Sequence, residues 1–295
     1  MKTILYFVVE FSLATACLAQ QTSIVLLGTG TPYPSPTNQG PATAIVLGDR
    51  YFLVDAGVGV MRQINAAKLS VKGPTAAFIT HLHSDHTLGI PDLLFTTWIM
   101  QRHHPFPMYG PTGLQKMTDH FIAAYEQDIP IRTDGLEQET PEGYRVTVHE
   151  IAPGVIYDSA DVLVTAIPVP HGSWKEAYAF RFDTPSRSIV ISGDMRPSEE
   201  FVSAAHGVDV FISEVYPEVR LAPENRPGGE HWPQYMKEFH ISDVELGKLA
   251  SEIQPKLLIL HHIVWMGGTE QELLNGIRKG GFKGKIVIGK DLERY

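Results

Sequence analysis

Thr80-His81-Leu82-His83-Ser84-Asp85-His86-Thr87 places three imidazoles and a carboxylate within six positions. Neutral imidazole and carboxylate oxygen are what first-row divalent metals accept where no thiolate is offered. The single cysteine, Cys17, lies in the apolar N-terminal stretch, which leaves His, Asp and Glu as ligands for the rest of the chain. His81 and His83, two apart in extended backbone, can point to one place, while Asp85 and His86 can face another. Such spacing suits two cations. A His-rich loop arising by chance is the rival reading, and it is disfavoured because the cluster is threaded between a buried strand and a helix start.

The elements that must position these groups follow from the apolar runs. Ala76–Thr80 reads as a strand that releases the cluster, and three later strands end in the same way. His171 follows Ile167–Pro170, Asp194 follows Ile189–Gly193, and His262 follows Leu257–Leu260. The pattern assigns His81, His83 and His171 to one metal, Asp85, His86 and His262 to the other, and Asp194 as the bridge. A hydroxide shared by the ions would be the nucleophile, since coordination lowers the pKa of water from about 15.7 to about 7.

Elsewhere, 44–47 and 51–54 read as a hairpin, 58–67, 91–101, 111–125 and 242–253 as helices, and 144–151, 161–169, 177–182, 188–192, 208–213, 256–260 and 285–288 as strands. Asp55 suits either the N-cap of the first helix or a place behind the ligands. Gly28-Thr29-Gly30 is not a dinucleotide loop, because Pro32 and Pro34 forbid an immediate helix. With 295 residues, 43% apolar content and no linker-like stretch, the chain reads as one domain over 20–295. Residues 1–19, with Lys2, an apolar run and small residues before Gln20, read as a secretory signal too short for a stable membrane span. The expected location is periplasmic or secreted. A net charge of −9 with no long Lys/Arg run makes nucleic acid a disfavoured partner.

The His-x-His-x-Asp-His loop, followed in order by a His, an Asp and a terminal His, resembles the metallo-β-lactamase superfamily. Gly28-Thr29-Gly30-Thr31-Pro32, Ser192-Gly193-Asp194-Met195-Arg196-Pro197, Phe239-His240-Ile241-Ser242 and Leu258-Ile259-Leu260-His261-His262 are similar to its ribonuclease Z and arylsulfatase-like branch. The resemblance implies an α/β fold, an αββα sandwich of two mixed β-sheets flanked by helices, with two Zn2+ at one edge, Mn2+ or Fe being the other metals such ligands suit. It also implies that His240 protonates the leaving group, with Glu214 to orient it. The choice of His262 over His261 rests on the motif. Asp194 stands where common zinc β-lactamases carry Cys, and His83 where the diiron branch carries Glu. The long Gly/Pro-rich arm with which ribonuclease Z enzymes grip tRNA is absent: only residues 172–193 separate His171 from Asp194.

The expected function is therefore a binuclear-zinc hydrolase of a small sulfate or phosphate ester, arylsulfatase- or phosphodiesterase-like, with His240 and Asp85 as catalytic residues. The alternatives are a lactonase, a ribonuclease Z-type endoribonuclease and a non-catalytic metal-binding protein. Trp174, Tyr216, Trp232 and Trp265 are expected to form an apolar wall, and a homodimer is left open.

Overall fold

The computed structural model describes residues 21–159 and 161–295, so the expected secretory signal lies outside the described residues. β1 (Thr22–Gly28), β2 (Ala42–Leu47), β3 (Arg50–Val54), β4 (Ala77–Phe78), β5 (Phe106–Gly110) and β6 (Val146–Glu150) form one sheet in that order. β1, β2 and β3 are antiparallel and the rest run parallel from β3 onward. The second sheet runs β13 (Lys285–Ile288), β12 (Leu257–Ile263), β11 (Val210–Val215), β10 (Ser188–Ile191), β9 (Tyr178–Asp183), β8 (Val162–Pro168), β7 (Gly154–Ser159). It is parallel from β13 to β10 and antiparallel beyond.

Three apolar clusters stack these sheets into four layers. Ile24, Phe52 and Phe78 of the first sheet meet Phe180, Ile189 and Ile259 of the second in the central one. The outer face of the first sheet packs on α1 (Val60–Ala66), α3 (Ile90–Ile99) and α4 (Leu114–Ala124), through Ile64, Leu94, Trp98 and Leu114. On the other side, Phe201 of α6 (Glu199–Ala205), Leu246 and Ile253 of α8 (Asp243–Ile253) and Leu273 of α9 (Glu270–Lys279) cover Phe211 and Leu258. Strands buried on both faces read as continuous apolar runs, which is why β1 and β11 show no alternation. The expected αββα sandwich is the observed one.

The strand directions decide where the site falls. β1, β3 and β4 in one sheet and β8, β10, β11 and β12 in the other run the same way within their sheets, so their C-terminal ends gather at one edge. Ligands in α/β sheets collect outside such ends. β11 and β12 reach further than expected, taking in Glu214 and His261–His262. β5 and β7 were not anticipated, nor were α2 (Ser84–Thr87), α5 (Asp128–Asp134), α6, α7 (Trp232–Phe239) and α9.

Candidate metal centre and active site

Asp194 sits between two groups of donors. On one side His81 Nε2 and His171 Nε2 lie 3.0 and 3.2 Å from His83 Nδ1, and His81 Nε2 lies 3.9 Å from Asp194 Oδ2. On the other, His262 Nε2 and His86 Nε2 approach Asp194 Oδ1 at 3.3 and 3.4 Å and Asp85 Oδ2 at 3.5 and 3.6 Å. Each group offers one donor atom per residue, all within 4.8 Å of one another. All seven side chains named from the sequence are thus brought together, three and three about one carboxylate.

The rear of four of these rings is tied down through Nδ1, His83 alone presenting Nδ1 to the site. His86 Nδ1–H donates to Asp55 at 2.8 Å, and His81 Nδ1–H reaches the Thr80 hydroxyl at 3.0 Å, which itself donates to Asp55. His171 Nδ1–H donates to the Phe239 carbonyl at 2.7 Å and His262 Nδ1–H to the Gly30 carbonyl at 2.6 Å. These contacts turn Nε2 of all four rings toward the interior of the site, with the proton assigned to Nδ1. Asp55 is therefore no helix cap: the position before α1 is Gly59, and Asp55, at φ 59°, serves Thr80 and His86. His262, at φ 46°, shares this left-handed backbone, which non-glycine residues seldom adopt. The carbonyl partners at Gly30 and Phe239 carried no side-chain signal in the sequence.

Burial sets the electrostatics. It pushes the His81 and His83 imidazoles below their ordinary range and His171 down to about 4, so these rings are neutral and able to ligate. Burial also pulls at His262 and His86, but Asp194, joined at His86 by Asp55, outweighs it, lifting His262 to about 9 and His86 well above its usual value. Burial favours the neutral form of Asp194 too, yet His262 and His86 hold it ionised. His86 Nε2 and Asp194 Oδ1 are fully buried and make no hydrogen bond. Unpaired buried polar atoms are costly, and a divalent cation between them would remove that cost. The donor set fits a pair of such ions. His261, the neighbour of His262, is buried too, with its imidazole driven down to about 3 by burial, and it joins neither donor group.

His240 stands in the extended link between α7 and α8, the latter opened by the Ser242–Glu245 capping box. Its Nδ1–H donates to Glu214 Oε2 at 3.0 Å and lies 3.7 Å from Asp194 Oδ2. Burial lowers its basicity, but Glu214 more than compensates and raises it. Glu214 Oε1 in turn accepts from the Met195 N–H at 3.1 Å, so one buried carboxylate joins the loops carrying Asp194 and His240. Arg196 adds a second tie, donating to Glu245 and, at 2.9 Å, to the His240 carbonyl.

A cavity of about 1060 Å³ opens over the donors, lined by His240, Trp232, Tyr235 and Trp265 among others. Of the expected apolar wall, Trp232 and Trp265 are there. Tyr216 is buried at 1% exposure, away from the cavity. Trp174 packs on His83 instead, its indole N–H 2.8 Å from Nε2. Tyr235 was missed. Among the described residues no helix is long and apolar enough to cross a membrane.

A family profile for the beta-lactamase superfamily domain matches residues 50–263. The chain is 30% identical over 278 residues to ribonuclease Z of Mycobacterium bovis (strain BCG / Pasteur 1173P2), covering 92% of this chain and 96% of that one. With ribonuclease Z of Mycobacterium sp. (strain KMS) the identity is 31% over 279 residues, with 92% and 94% covered. Among solved structures, human tRNase Z, short form, matches with a TM-score of 0.68 at 22% identity over 92% of this chain and 98% of that one. The metallo-beta-lactamase fold protein YhfI from Bacillus subtilis matches with a TM-score of 0.70 at 19% identity over 93% and 99%. At these identities the structures speak to the fold.

The relatives named ribonuclease Z overturn two expectations: a small sulfate or phosphate ester as substrate, and nucleic acid as a disfavoured partner. The physical reason is one of scale. A net charge summed over 295 residues does not describe one cavity, and a missing arm leaves the catalytic edge unaltered. The broader expectation of a metal-dependent hydrolase stands. The chain belongs to the metallo-β-lactamase superfamily and, within it, to the ribonuclease Z relatives.

Proposed function

We propose that the chain is a metal-dependent endoribonuclease of the ribonuclease Z type, hydrolysing an RNA phosphodiester at the edge where the two sheets meet. The observation that carries this reading is the pair of donor groups on either side of Asp194, with His240 backed by Glu214 at their rim. The ribonuclease Z relatives supply the substrate class.

His81, His83 and His171 would hold one ion, Asp85, His86 and His262 the other, and Asp194 both. When bound, two divalent cations, zinc first among those such ligands suit, polarise the phosphoryl oxygen and lower the pKa of water. His240 keeps a proton through its contact with Glu214 and stands at the cavity wall. As water oxygen adds to phosphorus and the P–O bond to the departing nucleoside breaks, His240 would give the proton on Nε2 to that oxygen while its Nδ1–H stays on Glu214; Asp85, on the cavity wall, would serve as ligand and accept the proton lost by the water. Glu214 restores the ring's orientation. Only β9 and β10 with their turns occupy residues 172–193, which leaves the cavity walls as the surface next to the donors that is offered to RNA. Residues 1–19 retain the composition of an export signal, which supports a periplasmic or secreted enzyme.

The test is cleavage of a precursor tRNA bearing a 3′ extension by purified, zinc-loaded protein. One discrete trailer fragment, lost on chelation and restored by zinc, is the expected result. Intact RNA under every metal tried would overturn the reading.

A further inference from the structure

The cavity is walled on one side by an aromatic tier that the hydrolytic chemistry does not use. α7 carries Trp232, Tyr235 and Phe239 on one helical face. Their rings form a ladder: Trp232 and Tyr235 are 5.3 Å apart at 19°, Tyr235 and Phe239 4.5 Å apart at 22°. It descends to the metal site, Phe239 lying 6.4 Å from the His83 ring at 24° and Tyr235 5.6 Å from His240. All three tier rings are only partly buried, and Trp232 and Tyr235 line the cavity. Near-parallel rings beside open space present a surface that accepts another flat ring.

Charge at the mouth points the same way. Arg226, the one Arg or Lys among the described lining residues, lies 5.8 Å from the Trp232 ring centroid and is paired with Glu224. Little positive charge is left to hold a phosphate backbone. What this wall can recognise is a planar, polarisable face.

We propose that the Trp232–Tyr235 face is a stacking subsite for the nucleobase beside the scissile phosphodiester. The inference rests on the ribonuclease reading above. It gives an acidic chain without a tRNA-gripping arm a means of holding its substrate.

A mononucleotide has no diester to cut, so the zinc-loaded full chain can be titrated calorimetrically with adenosine 5′-monophosphate and with ribose 5-phosphate. Stacking on an aromatic side chain predicts that the base tightens binding roughly 10- to 100-fold in the unsubstituted protein. Trp232→Ala should remove most of that preference while leaving ribose 5-phosphate binding unchanged, and Trp232→Phe should keep it. Trp232→Leu, which preserves apolar bulk, should lose it as the alanine variant does and serves if the latter fails to fold. Equal binding of the two ligands by the unsubstituted protein, or a preference surviving in Trp232→Leu, would overturn the subsite. Preference for the nucleotide without RNA cleavage contradicts the ribonuclease reading alone; RNA cleavage without the preference contradicts the subsite alone.

Discussion

Asp194 shows how one side chain divides labour between its two oxygens. Oδ2 faces His81 and His240, Oδ1 faces His86 and His262, and the carboxylate stays ionised because His262 and His86 outweigh its burial. Substitutions on either side of it should therefore separate holding a metal from moving a proton. His83→Ala removes one of three nitrogens from the first donor group, so metal content should fall and RNA cleavage should vanish together. His240→Ala leaves both donor groups intact and should lower kcat by roughly 10²- to 10⁴-fold, the range of a positioned acid, with metal content unchanged. Mass spectrometry of bound metal beside single-turnover rates checks both. Zinc lost from the His240 variant would make that residue a ligand and refute its role as the acid.

At the scale of elements, the site depends on how tightly strand ends approach one another. Gly193, at φ 60° just before Asp194, has no room for a side chain: a Cβ there would lie 2.8 Å from the Thr80 Cβ. Gly172, after His171, would meet the Phe239 ring at 2.1 Å. These contacts lock the loop after β10 to the loop after β4, and the loop after β8 to the end of α7. Gly193→Ala should cost about 1–2 kcal/mol for the left-handed backbone alone. In a chain of this length that lowers Tm by roughly 2–8 °C. Because the methyl presses on Thr80, whose hydroxyl links His81 to Asp55, the variant should also lose metal. Gly207→Ala is the control, since its φ of 70° is equally unfavourable but nothing lies within 4 Å of its Cβ. It should show a similar fall in Tm and full metal content. Equal metal loss in both, by melting and metal analysis, would show that global loosening rather than the Thr80 contact is responsible.

For the molecule as a whole, the two sheets each supply half of a centre that neither could form alone. Most of that centre was legible in the sequence, because its donor side chains come as a hexapeptide and as single residues just after apolar runs that end a strand. Less legible were the groups that act across long separations. Asp55 supports a ring 31 positions away, and the Gly30 carbonyl holds His262 across 232. Neither has a local pattern, and backbone carbonyls have no residue type to read. α7 was hidden by its Gly/Pro-rich approach and β7 by its half-exposed edge position, although α9 carried a readable Thr269–Glu272 capping box. The substrate was misjudged because whole-chain charge and a missing arm were set against nucleic acid, whereas the local features of the cavity are an aromatic tier and paired charges. What decides the matter is where the metal sits. Anomalous X-ray scattering at the zinc edge from crystals of the loaded protein should give two peaks flanking Asp194, one among His81, His83 and His171 and the other among Asp85, His86 and His262. A single peak, or zinc bound away from Asp194, would contradict the binuclear centre on which the proposed hydrolysis depends.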